Sequence, residues 1–195
     1  MKRIGLTGGI GSGKSFVANI LENMGFPVYY SDLQSKELTK SNPSIKTGLI
    51  SLFGEEVYSD NELNTQLVAT KIFQNEKMRQ KVNELIHPIV RKDFDNWAMN
   101  QKSALVFNEA AILLETGAYK NFDANILICA PLELKIKRVM KRENCSREDV
   151  LDRMNKQWSD EEKMKLADFV IENDEESPIL KQIENILIQL IDHFN

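Results

Sequence analysis

The chain has 195 residues, 42% of them hydrophobic, with 25 basic and 29 acidic side chains and a formal net charge of −4. That length buries a substantial core as one globular unit, with room for a small insertion, and the acidic balance argues against a general binder of nucleic acid or membrane surfaces. Two cysteines without metal-ligand spacing, Cys129 and Cys145, argue against a disulfide scaffold or a zinc site; with no apolar run near 18 residues and no signal peptide, a reduced cytoplasmic protein is expected.

The first predicted element is a strand around Ile4 to Leu6, which flows into Thr7-Gly8-Gly9-Ile10-Gly11-Ser12-Gly13-Lys14-Ser15. Gly8, Gly13, Lys14 and Ser15 fit the phosphate-binding spacing G-x-x-x-x-G-K-[ST], and the helix-like stretch from Phe16 to Leu21 supplies the context that motif requires. Main-chain N–H groups from Gly8 through Phe16 must wrap a polyphosphate, and side chains there would block the approach. Lys14 reaches the β and γ phosphates, and the Ser15 hydroxyl ligates Mg²⁺ at the start of a helix whose dipole favours anions. A nucleoside triphosphate with Mg²⁺ is therefore expected at this loop.

Apolar residues at helical intervals continue the first helix to Met24, where Gly25 and Pro27 stop it. Residues 27–31 read as a strand ending at Asp32. Ligands of open parallel sheets sit at the carboxyl ends of strands, which makes Asp32 a candidate for chemistry; equally, it is a good N-cap for a helix starting near Leu33. Helical spacing recurs at 45–53, 63–73 and 78–86, so residues 33–101 read as a helical insertion, broken at Gly54 and at Ser59-Asp60-Asn61 and interrupted by Pro88. Within it, His87 is either a structural histidine or a substrate contact.

The run Ala104 to Phe107 predicts a buried parallel strand, followed by Glu109, where a carboxylate either holds Mg²⁺ or caps the next element. A second buried strand is predicted over 125–129 and a helix over 132–141. That helix is basic, with Lys135, Lys137, Arg138, Lys141 and Arg142 close together and Arg147 and Arg153 nearby. Cationic side chains suit a migrating phosphoryl group, and arginine suits it best; a solvated helix face is the alternative for each lysine. A last strand over 169–173 and an amphipathic helix over 178–194 close the chain.

Several segments together resemble the dephospho-CoA kinase family: residues 4–15, Ser31-Asp32, residues 85–90, residues 112–115, residues 134–142, Arg153 with Gln157, and Ala167-Asp168 with Asn173. The resemblance implies an α/β fold of P-loop NTPase type, three layers around a central parallel sheet, with the helical insertion binding the acceptor and a mobile lid at about 138–158. It implies transfer of the γ-phosphoryl of ATP to the ribose 3′-hydroxyl of dephospho-CoA. By the same resemblance, Asp32 orients or deprotonates that hydroxyl, Arg138 is the lid arginine and Arg142 lies on adenine or phosphates. Thr7, His87 and Leu113 line the acceptor side, and Asn173 stands near the ATP base. Two positions depart from the family pattern: Phe16 replaces a threonine and Ala111 a proline, the latter expected to loosen the acceptor wall. No partner protein is implied, and a monomer or weak homo-oligomer is expected.

A regulatory GTPase shares the phosphate loop, but no D-x-x-G follows it, and Asn155-Lys156-Gln157-Trp158 has tryptophan where an aspartate would hold guanine. A nucleoside or nucleoside monophosphate kinase remains the rival that shares both fold and ATP chemistry.

Overall fold

The computed structural model describes residues 1–59, 62–73 and 75–194. In chain order the elements are β1 (Lys2–Gly8), α1 (Lys14–Asn23), β2 (Val28–Tyr30), α2 (Ser31–Ser41), α3 (Pro43–Phe53), β3 (Tyr58–Ser59), β4 (Glu62–Leu63), α4 (Thr65–Phe73), α5 (Glu76–Met99), β5 (Leu105–Glu109), β6 (Ala124–Cys129), α6 (Leu132–Glu143), α7 (Arg147–Met154), α8 (Asp160–Met164), β7 (Phe169–Glu172) and α9 (Ile179–Phe194). Two compact units divide them, one formed by Met1–Tyr30 with Gln101–Asn195 and the other by Ser31–Asn100.

The first unit holds a parallel sheet in the order β2-β5-β1-β6-β7. Strands β5 and β6 are buried at every position, which is why they read as unbroken apolar runs. On one face, Ile4, Leu6, Phe107, Ile126 and Ile128 pack against Val17 and Leu21 of α1 and Ile183, Ile186, Leu187 and Leu190 of α9. Each such side chain contributes about 1.5–3 kcal/mol on burial. On the other face, Leu113 lies over Gly5, where a Cβ would come within 2.5 Å of it, and the Thr7 hydroxyl donates to the Ala111 carbonyl at 3.5 Å. Helices thus flank a central parallel sheet whose loops carry the phosphate motif.

The second unit is built from α2 to α5 with the short antiparallel pair β3–β4. Ile45, Leu49, Phe53, Val57, Val68 and Val82 form its core. Asn42 caps α3 by accepting from the Ser44 and Ile45 amides, and Pro43 follows at the first helical position, where its missing N–H costs nothing. Asp60 and Asn61, part of the expected helix break, lie outside the described residues; Ser59 ends β3.

Two local expectations are corrected. Helix α5 continues through Pro88 rather than being interrupted there. Proline removes one bond to the carbonyl of Glu84, and both residues are exposed, a position at which water can replace the lost donor. Helix α2 begins at Ser31, two residues before the sequence suggested. Asp32 is therefore in its first turn and is not its cap.

Candidate active site

The phosphate loop spans the turn between β1, ending at Gly8, and α1, starting at Lys14. Gly13 precedes the helix with φ 96°, no side chain caps the helix and no acid stands in its first turn. The first N–H groups of such a helix point outward without intrahelical partners and favour an anion. Only glycine suits position 13, because besides its positive φ a Cβ would stand 2.1 Å from Asn173 Nδ2. Lys14 Nζ folds back over the loop and donates to the carbonyl oxygens of Gly8 at 2.9 Å and Gly9 at 3.4 Å. Ser15 is exposed, and so is Phe16 beside it.

Helix α6 and the strand end after β7 brace this loop. Asn173, 9% exposed, donates from Nδ2 to the Ser12 carbonyl at 2.8 Å. Arg138 Nη2 in turn donates to Asn173 O, Asn173 Oδ1 and Glu175 Oε1 at 3.2–3.3 Å. Its other terminal nitrogen, Nη1, is buried without a hydrogen-bond partner among the described residues and lies 3.9 Å from where a Cβ on Gly13 would stand. A buried guanidinium N–H left unpaired is costly. Beside the loop, such an N–H can donate to an acceptor oxygen that a ligand brings.

Four of the other basic residues are engaged elsewhere. Arg142 is mostly exposed and pairs with Glu143, which also takes Arg153; their hydrogen bonds, Arg142's first, hold the Glu143 carboxyl below its usual range. Arg147 meets Glu133 through both terminal nitrogens at 2.6–2.7 Å. Lys135 pairs with Asp160 at 2.7 Å, both largely buried. Of the candidates, Arg138 is the arginine placed beside the loop, while Asn173, expected near the base, has its carboxamide on the loop itself.

Glu109 ends β5 at 6% exposure, in register with Leu6 of β1 and with Tyr30 of β2. Burial, then the Glu22 hydrogen bond and charge, then the Glu109 charge push the Tyr30 phenol well above its ordinary pKa. Ser15 and Glu109 together offer a hydroxyl and a carboxylate, hard oxygen donors of the kind Mg²⁺ takes alongside phosphates and water. Cys129 is a buried, inert thiol, pushed up to about 12 by burial and by Asp160 against the opposing charge of Lys135. Lys163 of α8 is fully buried and meets Glu115 at 2.8 Å. Glu115 belongs to the segment that carries Leu113, so this pair ties the expected acceptor wall to α8. No helix among the described residues is long and apolar enough to cross a membrane.

In the second unit, Asp32 is exposed on α2 and His87 is half-buried on α5. Burial, then the nearby charge of Arg91, lowers the His87 pKa. Thr7 and Leu113 are buried in the first unit. The pairings of Gln157, Asp160 and Lys163 carry no local sequence signal, since each joins residues far apart in the chain.

The model of the dephospho-CoA kinase family matches residues 2–178. The chain belongs to the dephospho-CoA kinase family. A dephospho-CoA kinase of Bacteroides fragilis is 43% identical over 186 residues, covering 95% of this chain and 91% of that one. Another, of Chlorobium chlorochromatii, is 38% identical over 87% of this chain and 84% of its own length. Among solved structures, a Thermus thermophilus protein superposes with a TM-score of 0.85 at 32% identity, covering 100% of this chain and 98% of its own. A shikimate kinase from Acinetobacter baumannii shares the fold at a TM-score of 0.57 and 17% identity, covering 100% of this chain and 95% of that one. Family membership makes the chain an ATP-dependent kinase with a nucleotide-binding phosphate loop.

Proposed function

We propose that this chain transfers the γ-phosphoryl of ATP to the ribose 3′-hydroxyl of dephospho-CoA, in the cytoplasm, where its two free thiols stay reduced. The observation that carries the chemistry is the buried, unpartnered Nη1 of Arg138 beside Gly13. With Lys14 it supplies positive charge to a transition state whose own charge is spread over the phosphoryl oxygens. Main-chain N–H groups from Gly8 to Phe16 hold the polyphosphate, except that of Ile10, which Gln157 Oε1 takes at 2.9 Å. Ser15 and Glu109 are the residues that would hold Mg²⁺, which when bound neutralises phosphate charge.

Asp32, an exposed carboxylate in the first turn of the helix after β2, orients or deprotonates the acceptor hydroxyl for in-line attack. Thr7, Leu113 and the neutral His87 line the acceptor, and Arg142 approaches the nucleotide only if it leaves Glu143. The lid at about 138–158 closes over ATP to exclude water. No protein partner is needed for this chemistry.

Incubating the purified chain with Mg-ATP and dephospho-CoA tests the reading. ADP and a product heavier by one phosphate are expected, with AMP and nucleosides unmodified. Preferential phosphorylation of AMP or a nucleoside would assign the chain to the rival kinase class instead.

A further inference from the structure

One residue of the phosphate loop is held differently from the rest. The Ile10 N–H donates to Gln157 Oε1 at 2.9 Å, across 147 residues of chain. Its side chain packs with Ile136 and Val139 of α6 and Val150 of α7. Asp160 Oδ1, Gln157 Oε1 and Lys135 Nζ stand 3.5–3.8 Å from where a Cβ on Gly9 would be. At Gly11 a Cβ would meet the Lys135 carbonyl at 2.5 Å. The first half of the loop is thus seated on the helices that follow β6, by an apolar contact, a side-chain hydrogen bond and close backbone packing, with the Lys135–Asp160 pair closing over the seat.

We propose that Gln157 is a positioning residue for phosphoryl transfer: by accepting the Ile10 N–H it fixes the phosphate loop, which carries Lys14, against α6, which carries Arg138. The inference rests on the kinase reading above. Lys14 and Arg138 serve the same transition state from two different segments, and their joint action requires those segments to keep one register. Without the acceptor at position 157, the Ile10 N–H loses its partner and the loop gains freedom relative to α6, so the loss falls on the transition state more than on bound ATP. The interaction also dedicates one loop amide to the protein, leaving phosphate to the amides further along.

Gln157→Leu keeps the bulk and removes the acceptor. It is expected to lower kcat about 10-fold with the KM for ATP changed less than about 3-fold. In an Arg138→Ala background the same substitution is expected to cost less than about 2-fold, because there is no arginine left to align. Gln157→Glu keeps an acceptor and is expected to recover most of kcat, while its charge beside the phosphates weakens ATP binding about 10-fold. Equal losses in both backgrounds, an unchanged kcat in Gln157→Leu, or a fall that only tracks a lowered Tm in both position-157 variants would each overturn the proposal. Turnover of dephospho-CoA by the unaltered chain is the control. If it fails, the kinase reading falls, while equilibrium ATP binding still tests the placement of Gln157, and an unchanged Kd in Gln157→Glu overturns that placement.

Discussion

The sheet unit and the helical unit hold their candidate chemistry in opposite ways. In the sheet unit the donors are main-chain amides at the start of α1 and side chains fixed by partners, as Asn173 is by Ser12 and Arg138 by Asn173. In the helical unit, Asp32 is exposed on the surface of α2 and His87 is only half-buried on α5. Backbone amides at a helix start are set once the chain folds, whereas the exposed Asp32 and half-buried His87 are open to solvent and to an acceptor. Substitutions at the phosphate loop and its braces in the sheet unit should therefore damage ATP chemistry or stability, and those at Asp32 and His87 in the helical unit should damage acceptor chemistry while sparing ATP.

The largest expected effect is that of Lys14→Ala, a fall in kcat of about 10⁴-fold, equivalent to about 5 kcal/mol. Steady-state kinetics measure it, and near-normal turnover would remove the loop from the mechanism. Next comes Lys163→Met, which strands the buried Glu115 carboxylate and should cost about 3–5 kcal/mol of stability, lowering Tm by about 10 °C. Adding Glu115→Gln should return most of that loss in thermal denaturation, and a double variant no better than the single one would show that the pair is not coupled.

Arg138→Ala should lower kcat about 10²-fold, whereas the exposed Arg142→Ala should stay within about 3-fold of the unaltered chain. Equal losses at both positions would show that Arg142 serves the nucleotide as directly as Arg138 does. The smallest effect belongs to His87. Its folded pKa lies below the ordinary 6.5, so the unfolded chain binds more protons there; the associated stability is present above about pH 6.5 and lost as pH falls through the folded value. His87→Gln should accordingly lose less Tm than the unaltered chain between about pH 7.5 and pH 5.5.

Much of the sheet unit was legible because its signals are local. The loop glycines, Lys14 and Ser15 lie within eight residues, and β5, β6 and α9 announce themselves by apolar runs or helical spacing. Local rules failed where context overrode them. Pro88 breaks a helix on average, yet α5 runs through it at an exposed position. Asp32 has the chemistry of a cap, yet α2 starts before it. What the sequence could not reveal was pairing at a distance: Gln157 with Ile10, Asp160 with Lys135, Lys163 with Glu115. Composition and spacing did not separate the arginines around α6; beyond the family resemblance, it is their partners that set Arg138 apart from Arg142, Arg147 and Arg153.

The division of labour between the two units is tested most directly by Asp32→Asn, measured both as kcat with dephospho-CoA and as the Kd for ATP without acceptor. The expected result is a kcat lower by about 10²–10⁴-fold with the Kd for ATP unchanged. A variant that turns over near the rate of the unaltered chain, or that loses ATP affinity in step with activity, would contradict the assignment.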